Sequence, residues 1–141
     1  MIRLRQVLPL MVITQLLGAG CGGLTSNTEL IAGDYNLISI NGFPLPFLLD
    51  FIDENNKLEL ESGTVSIHAD GNFVDATTYR ITEVGLVRSQ TDVTPGQWSL
   101  DRATVRFDPA DGSESYSMTV NTGSTRLVQN ISGLALVYLR Q

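Results

Sequence analysis

Turn-forming pairs break this chain at short intervals: Asn41-Gly42, Asp70-Gly71, Asp111-Gly112 and Ser132-Gly133. The runs between them are short and rich in Val, Ile, Thr, Tyr and Phe, and no long segment keeps a helical apolar stripe. Tight turns join antiparallel neighbours, because a parallel pair needs a long crossover. The spacing therefore predicts an all-β fold, with strands over residues 35–41, 47–52, 57–67, 73–81, 97–100, 104–107, 115–120, 125–129 and 134–140. Eight or nine antiparallel strands in meander order form a sheet that tends to curl. Closure into an up-and-down β-barrel removes its exposed edges.

Two local patterns refine this reading. Leu58 and Leu60 alternate with Lys57, Glu59 and Glu61, whereas the later apolar positions are Val65 and Ile67. The parity changes across Ser62-Gly63, which places a β-bulge at Gly63. The run 47–52 suits a helical face as well as a strand, and its shortness favours the strand. Pro44 and Pro46 cannot donate to a ladder and are expected to carry the chain over one end of the barrel.

The first twenty residues read as an export signal. Arg3 and Arg5 are followed by a short apolar run from Val7, and Gly18, Ala19 and Gly20 precede Cys21. The run is broken by Thr14 and Gln15 and falls short of the roughly twenty residues needed to span a bilayer as a helix. Residues 21–32 are polar and small, as a tether would be. Residues 33–141 are enough for one domain with one core. Cys21 is the chain's only cysteine, so no internal disulfide can form and packing alone must hold the core. Without Arg3 and Arg5, seven basic residues face fifteen acidic ones, a formal charge of −8. Such a surface disfavours nucleic acid and anionic headgroups.

The segment up to Cys21 resembles the bacterial lipoprotein signal, with Leu17 four residues before the cysteine and Gly18 three before. The resemblance implies cleavage before Cys21, lipid on its sulfur, and attachment to the bacterial cell envelope. Gly22 after the cysteine resembles the signal for the outer membrane, facing the periplasm. Further motifs are Gly33-Asp34-Tyr35, the pair Asn41-Gly42, the hairpin of residues 63–73, Gly96-Gln97-Trp98 and the closing residues 136–140. In order and spacing they are similar to a group of small bacterial lipocalin-like lipoproteins with calycin-type barrels. In lipocalins a Gly-x-Trp opens the first strand and a basic residue from the chain's end packs over the ring. Gly33, Tyr35 and Arg140 would take those places. The group carries no general activity, so the resemblance implies a fold and little more.

Candidate chemistry is sparse. His68 is the sole histidine and lacks the companions that a zinc site needs. Asp50, Asp53, Glu54, Glu59 and Glu61 lack the spacing of a calcium loop and read as a solvated acidic edge. No Gly-x-Ser-x-Gly elbow and no phosphate-binding glycine loop is present. The expectation is a protein without catalytic residues, metal or cofactor, and not an enzyme. Trp98, Phe107, Tyr116 and Met118 suit the wall of a ligand cavity, and they suit equally the filling of a small barrel, which is the expectation here. Two functional readings remain open: a lipid-anchored barrel that binds a small apolar ligand or lipid, and a dry-core protein that meets or inhibits an envelope partner through its surface. The anchor is directly testable. Cys21→Ser should abolish membrane association and labelling by radioactive palmitate, and unchanged labelling would remove the anchor.

Overall fold

The computed structural model describes residues 30–121, 123 and 125–141, so Cys21 and the signal segment lie outside the described residues. Ten strands follow one another: β1 Gly33–Ile40, β2 Phe43–Pro44, β3 Phe47–Asp53, β4 Asn56–Ile67, β5 Asn72–Glu83, β6 Leu86–Asp101, β7 Thr104–Pro109, β8 Tyr116–Val120, β9 Arg126–Ile131 and β10 Leu134–Arg140. All pair antiparallel. The neighbour order is β2-β1-β10-β9-β8-β7-β6-β5-β4-β3, and β1 also pairs with β4. That last pairing closes β1 and β4 to β10 into an eight-stranded meander barrel and leaves β2 and β3 as extra strands. The all-β barrel expected from the sequence is the fold observed.

Closure hangs on a division of labour along β4. Its lower half pairs with β1, from Gly33 opposite Ile67 to Asn36 opposite Thr64. Its upper half pairs with β3, from Phe47 opposite Leu60 to Asp53 opposite Asn56. The parity change falls between these halves, but the bulge is not at Gly63. Leu60 faces Tyr79 and Ser62 faces Thr78, so Glu61 is the inserted residue. Gly63 serves packing instead: a Cβ there would lie 3.2 Å from Cβ of Leu37. Residues 47–52 form a strand as expected, and Asn41-Gly42 makes the tight turn that lays Phe43 opposite Ile40.

One strand is much longer than the sequence suggested. β6 begins at Leu86 rather than near Gln97 and runs for 16 residues. The turn before it, Val84-Gly85, has positive φ at both positions (50° and 78°). This is the hairpin geometry usually signalled by Asn-Gly, adopted here by a β-branched residue. Residues 86–92 of β6 with the upper parts of β3, β4 and β5 form a sheet that rises beyond the short strands β7 to β10.

The lower half of the barrel is tightly packed. Tyr35, Val65, Phe73, Val105, Phe107, Met118 and Leu127 are all at most 1% exposed. Phe73 meets Phe107 edge-on at 4.9 Å. Ile31, which precedes β1, is 2% exposed and plugs this end. The Tyr35 hydroxyl donates to the Ile31 carbonyl at 2.8 Å. Arg140 donates to the Leu30 carbonyl at 2.9 Å and to the Ala32 carbonyl. The guanidinium can approach only because residue 33 is glycine, since a Cβ would lie 2.6 Å from Nε of Arg140. Trp98 Nε1–H donates to the His68 carbonyl at 2.8 Å and seals the same end.

Gly96 faces Phe73 across the β5–β6 ladder, and the ring covers the space that a side chain would fill. A Cβ there would lie 2.6 Å from Cε1 of Phe73 and would also strike the Asp108 carbonyl oxygen. Gly96→Ala should therefore lower stability by about 3 kcal/mol in urea unfolding, as overpacking of a closed core does. A loss below about 0.5 kcal/mol, the range of neutral surface changes, would show that the Phe73 ring yields freely.

Candidate functional site

Alternation along β5 brings Phe73, Asp75, Thr77, Tyr79 and Ile81 to the inner face. Phe73 belongs to the packed floor, so the next inward residues upward, Asp75 and Thr77, line the upper half. There the barrel holds a cavity of about 260 Å³. Its more exposed lining is aliphatic, with Leu49, Ile131 and Leu134, while Ile40, Leu60 and Leu136 are buried in its wall. Its polar lining is Asp75, Thr77, Tyr79, Tyr116, Gln129 and Tyr138. Leu49 reaches it from β3, at the register shift between Leu48 and Asp50. The extra strand thus contributes to the rim.

The polar wall is organised around Asp75. The Tyr116 hydroxyl donates to Oδ2 of Asp75 at 2.7 Å, and the Tyr116 ring stacks on Phe107 at 5.0 Å. The stack fixes the phenol and the phenol fixes the carboxylate. Burial raises the Asp75 pKa above the usual carboxylate range, against the hydrogen bonds from Tyr116 and Thr77, which lower it. Burial also raises Tyr79, Tyr116 and Tyr138, and the charge of Asp75 raises all three further. The phenols are therefore neutral hydrogen-bonding groups at physiological pH. Among the described residues Asp75 has no ion-pair partner. The cavity offers one desolvated carboxylate, with phenols and aliphatic side chains around it.

The aromatic candidates divide between the two halves. Trp98, Phe107 and Met118 are buried in the packed lower half, and Tyr116 stands at the boundary with its hydroxyl in the cavity wall. Filling and cavity are both present, one above the other. Asp75, Tyr79, Gln129 and Tyr138 are site residues that the sequence reading missed. For Asp75 a signal was available, since it shares the parity of Phe73 and Tyr79 and so had to face inward.

The acidic candidates divide: Asp50, Asp53 and Glu54 are exposed on the edge strand β3 and its turn, as a solvated acidic edge would be, whereas Glu59 and Glu61 are ion-paired. Asp53 accepts from the amide of Asn55 at 2.8 Å and shapes the β3–β4 turn. Glu59, with only 14% side-chain exposure, and Glu61 flank Arg80 at 3.9 and 2.7 Å. The hydrogen bond from Arg80 holds Glu61 below the usual carboxylate range. These two carboxylates form an ion-paired patch on the outer face, with Glu59 directly opposite Arg80 in the β4–β5 ladder. Among the described residues no three His, Cys, Asp or Glu side chains come together as a metal site would need. His68 is exposed, and its backbone serves the fold by accepting from Trp98.

A wider outer groove of about 760 Å³ runs past His68, Asp70, Gln97 and Asp108 near the closed end. Its carboxylates are already engaged. Asp70 accepts from the Asn72 amide at 3.0 Å, and Asp108 accepts from Arg106 at 3.0 Å. Among the described residues, the interior cavity presents a carboxylate that is both sheltered and without an ion-pair partner, so it is the stronger candidate.

The raised pKa of Asp75 has a definite sign. The folded state holds this proton more tightly than the unfolded chain, so the group's contribution weakens as pH rises through its folded pKa. Asp75→Asn removes the buried charge. The variant should melt above the native protein at a pH where Asp75 is ionised, with the difference shrinking as pH falls through its raised folded pKa. A difference independent of pH would show that the carboxyl is not desolvated.

No protein-family model matches the chain, and no curated protein shows significant sequence similarity to it.

Proposed function

We propose that this protein is a binding barrel that carries a small amphiphile with a protonated amine head, held in the cell envelope by lipid on Cys21. The observation that carries the reading is Asp75, a carboxylate in the polar lining of the cavity with no ion-pair partner among the described residues. Burying an uncompensated carboxylate costs stability, and a cation delivered by a ligand turns that cost into binding energy. The neutral phenols of Tyr79, Tyr116 and Tyr138 offer hydrogen bonds to the same head group. Ile40, Leu60, Leu134 and Leu136 suit an aliphatic body. The volume lies just below the ~300 Å³ at which pockets for drug-sized ligands begin, so the ligand is small.

Binding is favoured over catalysis because the cavity brings one acid together with phenols held neutral and no nucleophile–base pair. The envelope location rests on the signal-like segment and its cysteine.

Native mass spectrometry of the protein recovered from its own envelope, read against a denaturing spectrum, should show a small extra mass that is lost on denaturation. Titration with medium-chain primary alkylamines should raise the melting temperature. Alcohols and carboxylates of the same length should raise it less. Affinity for the amines should grow as pH rises through the pKa of Asp75, and Asp75→Asn should remove the preference for amines. Equal binding of carboxylates and amines, or a bare native mass together with no response to any amphiphile, would overturn the reading.

A further inference from the structure

β6 pairs with β5 along its whole length, but β7 covers only its lower end, from Gly96 opposite Pro109 to Asp101 opposite Thr104. The amide of Ala110 donates to the Pro95 carbonyl at 2.9 Å and marks the upper limit of that cover. Above it, residues 86–94 have β5 on one side and no strand on the other among the described residues. This open edge pairs with β5 without a register shift, and eight of its nine residues are exposed. Of the two ends of the strand order, β2 is only two residues long and β3 carries two register shifts in seven residues. Irregularity of that kind blunts an edge against pairing, whereas a long regular edge invites it.

The sequence of the β6 edge is complementary to itself when reversed. About Gln90 as centre, Leu86 faces Thr94, Val87 faces Val93, Arg88 faces Asp92 and Ser89 faces Thr91. Side chains directly opposite in an antiparallel pair share a face. Val87 and Val93, 64% and 60% exposed, would therefore cover each other on one face. Arg88 would meet Asp92 on the other, twice by symmetry. Their present partners are local: Arg88 reaches Glu83 at 3.4 Å, and Asp92 accepts from Gln90 at 3.0 Å. The ends of the edge fit the same centre. A two-fold axis at Gln90 sets Pro95, which has no N–H to give, opposite Gly85 of the turn, just past the last pair.

We infer that a second copy of this chain docks on the β6 edge, residues 86–94 pairing antiparallel with the same residues about a two-fold axis at Gln90. The contact is isologous, as closed two-fold dimers require. It joins two rising sheets into one across a ladder of about 30 Å. The antiparallel direction sends the two barrels to opposite ends of that ladder, so they do not collide.

The test is sedimentation equilibrium of the full chain in mild detergent, with site-specific cross-linking. A dimer is expected. Arg88→Asp puts carboxylates opposite each other at both ends and should weaken it by about tenfold or more, whereas the double swap Arg88→Asp, Asp92→Arg should restore it. Gln90→Cys stands opposite itself at a separation that a disulfide accepts and should cross-link under mild oxidation. Leu86→Cys stands about 27 Å from its own copy and should not. The unmodified chain gives the background from Cys21. A monomer at concentrations up to about 100 μM, a weak end of specific association, would overturn the inference. So would a dimer indifferent to the charge changes, or one in which Leu86→Cys cross-links as readily as Gln90→Cys.

Discussion

The pairing of β1 with β4 is the contact on which the rest of the molecule depends. Without it the chain would be an open meander with long edges at β1 and β4, and its inward aromatic residues would have no opposite wall. With it, Tyr35 sits opposite Val65 and both disappear from solvent. The pairing covers only residues 64–67 of β4, because β1 is short and its upper end turns back at Asn41-Gly42 onto β2. The remaining length of β4 takes β3 as partner, and the inserted Glu61 lets one strand serve two neighbours with its apolar side inward in both halves.

This handover explains why the barrel has two unlike interiors. Where β1 and β4 are joined, the walls are close, and Phe73, Phe107 and Met118 fill the space between them. Where β4 turns to β3, the walls part and a cavity remains. The stack of Phe107 on Tyr116 lies at the boundary. Below it the chemistry is that of a dry core. Above it a hydroxyl and a carboxylate are held in fixed orientation by a ring that cannot move without opening the floor. Holding these polar groups out of water opposes the stability gained from the core beneath.

Much of the fold was legible because it rests on local chemistry. Asn41-Gly42 and Ser132-Gly133 adopt positive φ at both positions, as their residue types favour. The parity change from Leu60 to Val65 required an inserted residue, although the pattern alone could not say which of residues 61–63 it was. The upper part of β6 was illegible for a physical reason. A strand exposed on both faces has no core to impose alternation, and Val84-Gly85 lacks the Asn or Asp that would announce its hairpin. The cavity was half legible. Tyr116 could be placed inward, but the meeting of Asp75 and Tyr116, 41 residues apart, is a product of barrel closure that no local pattern encodes.

The chain enters the barrel at its sealed end. Ile31 is already in the core, Leu30 and Ala32 are gripped by Arg140, and the cavity opens at the far rim, beside Ile40 and Leu134. Whatever holds the polypeptide upstream of Leu30 therefore holds the molecule by its base. Ile31 lies ten positions after Cys21, a reach of at most about 36 Å when fully extended. A surface gripping Cys21 would keep the barrel within that reach and hold it from its sealed end, with the cavity at the opposite end.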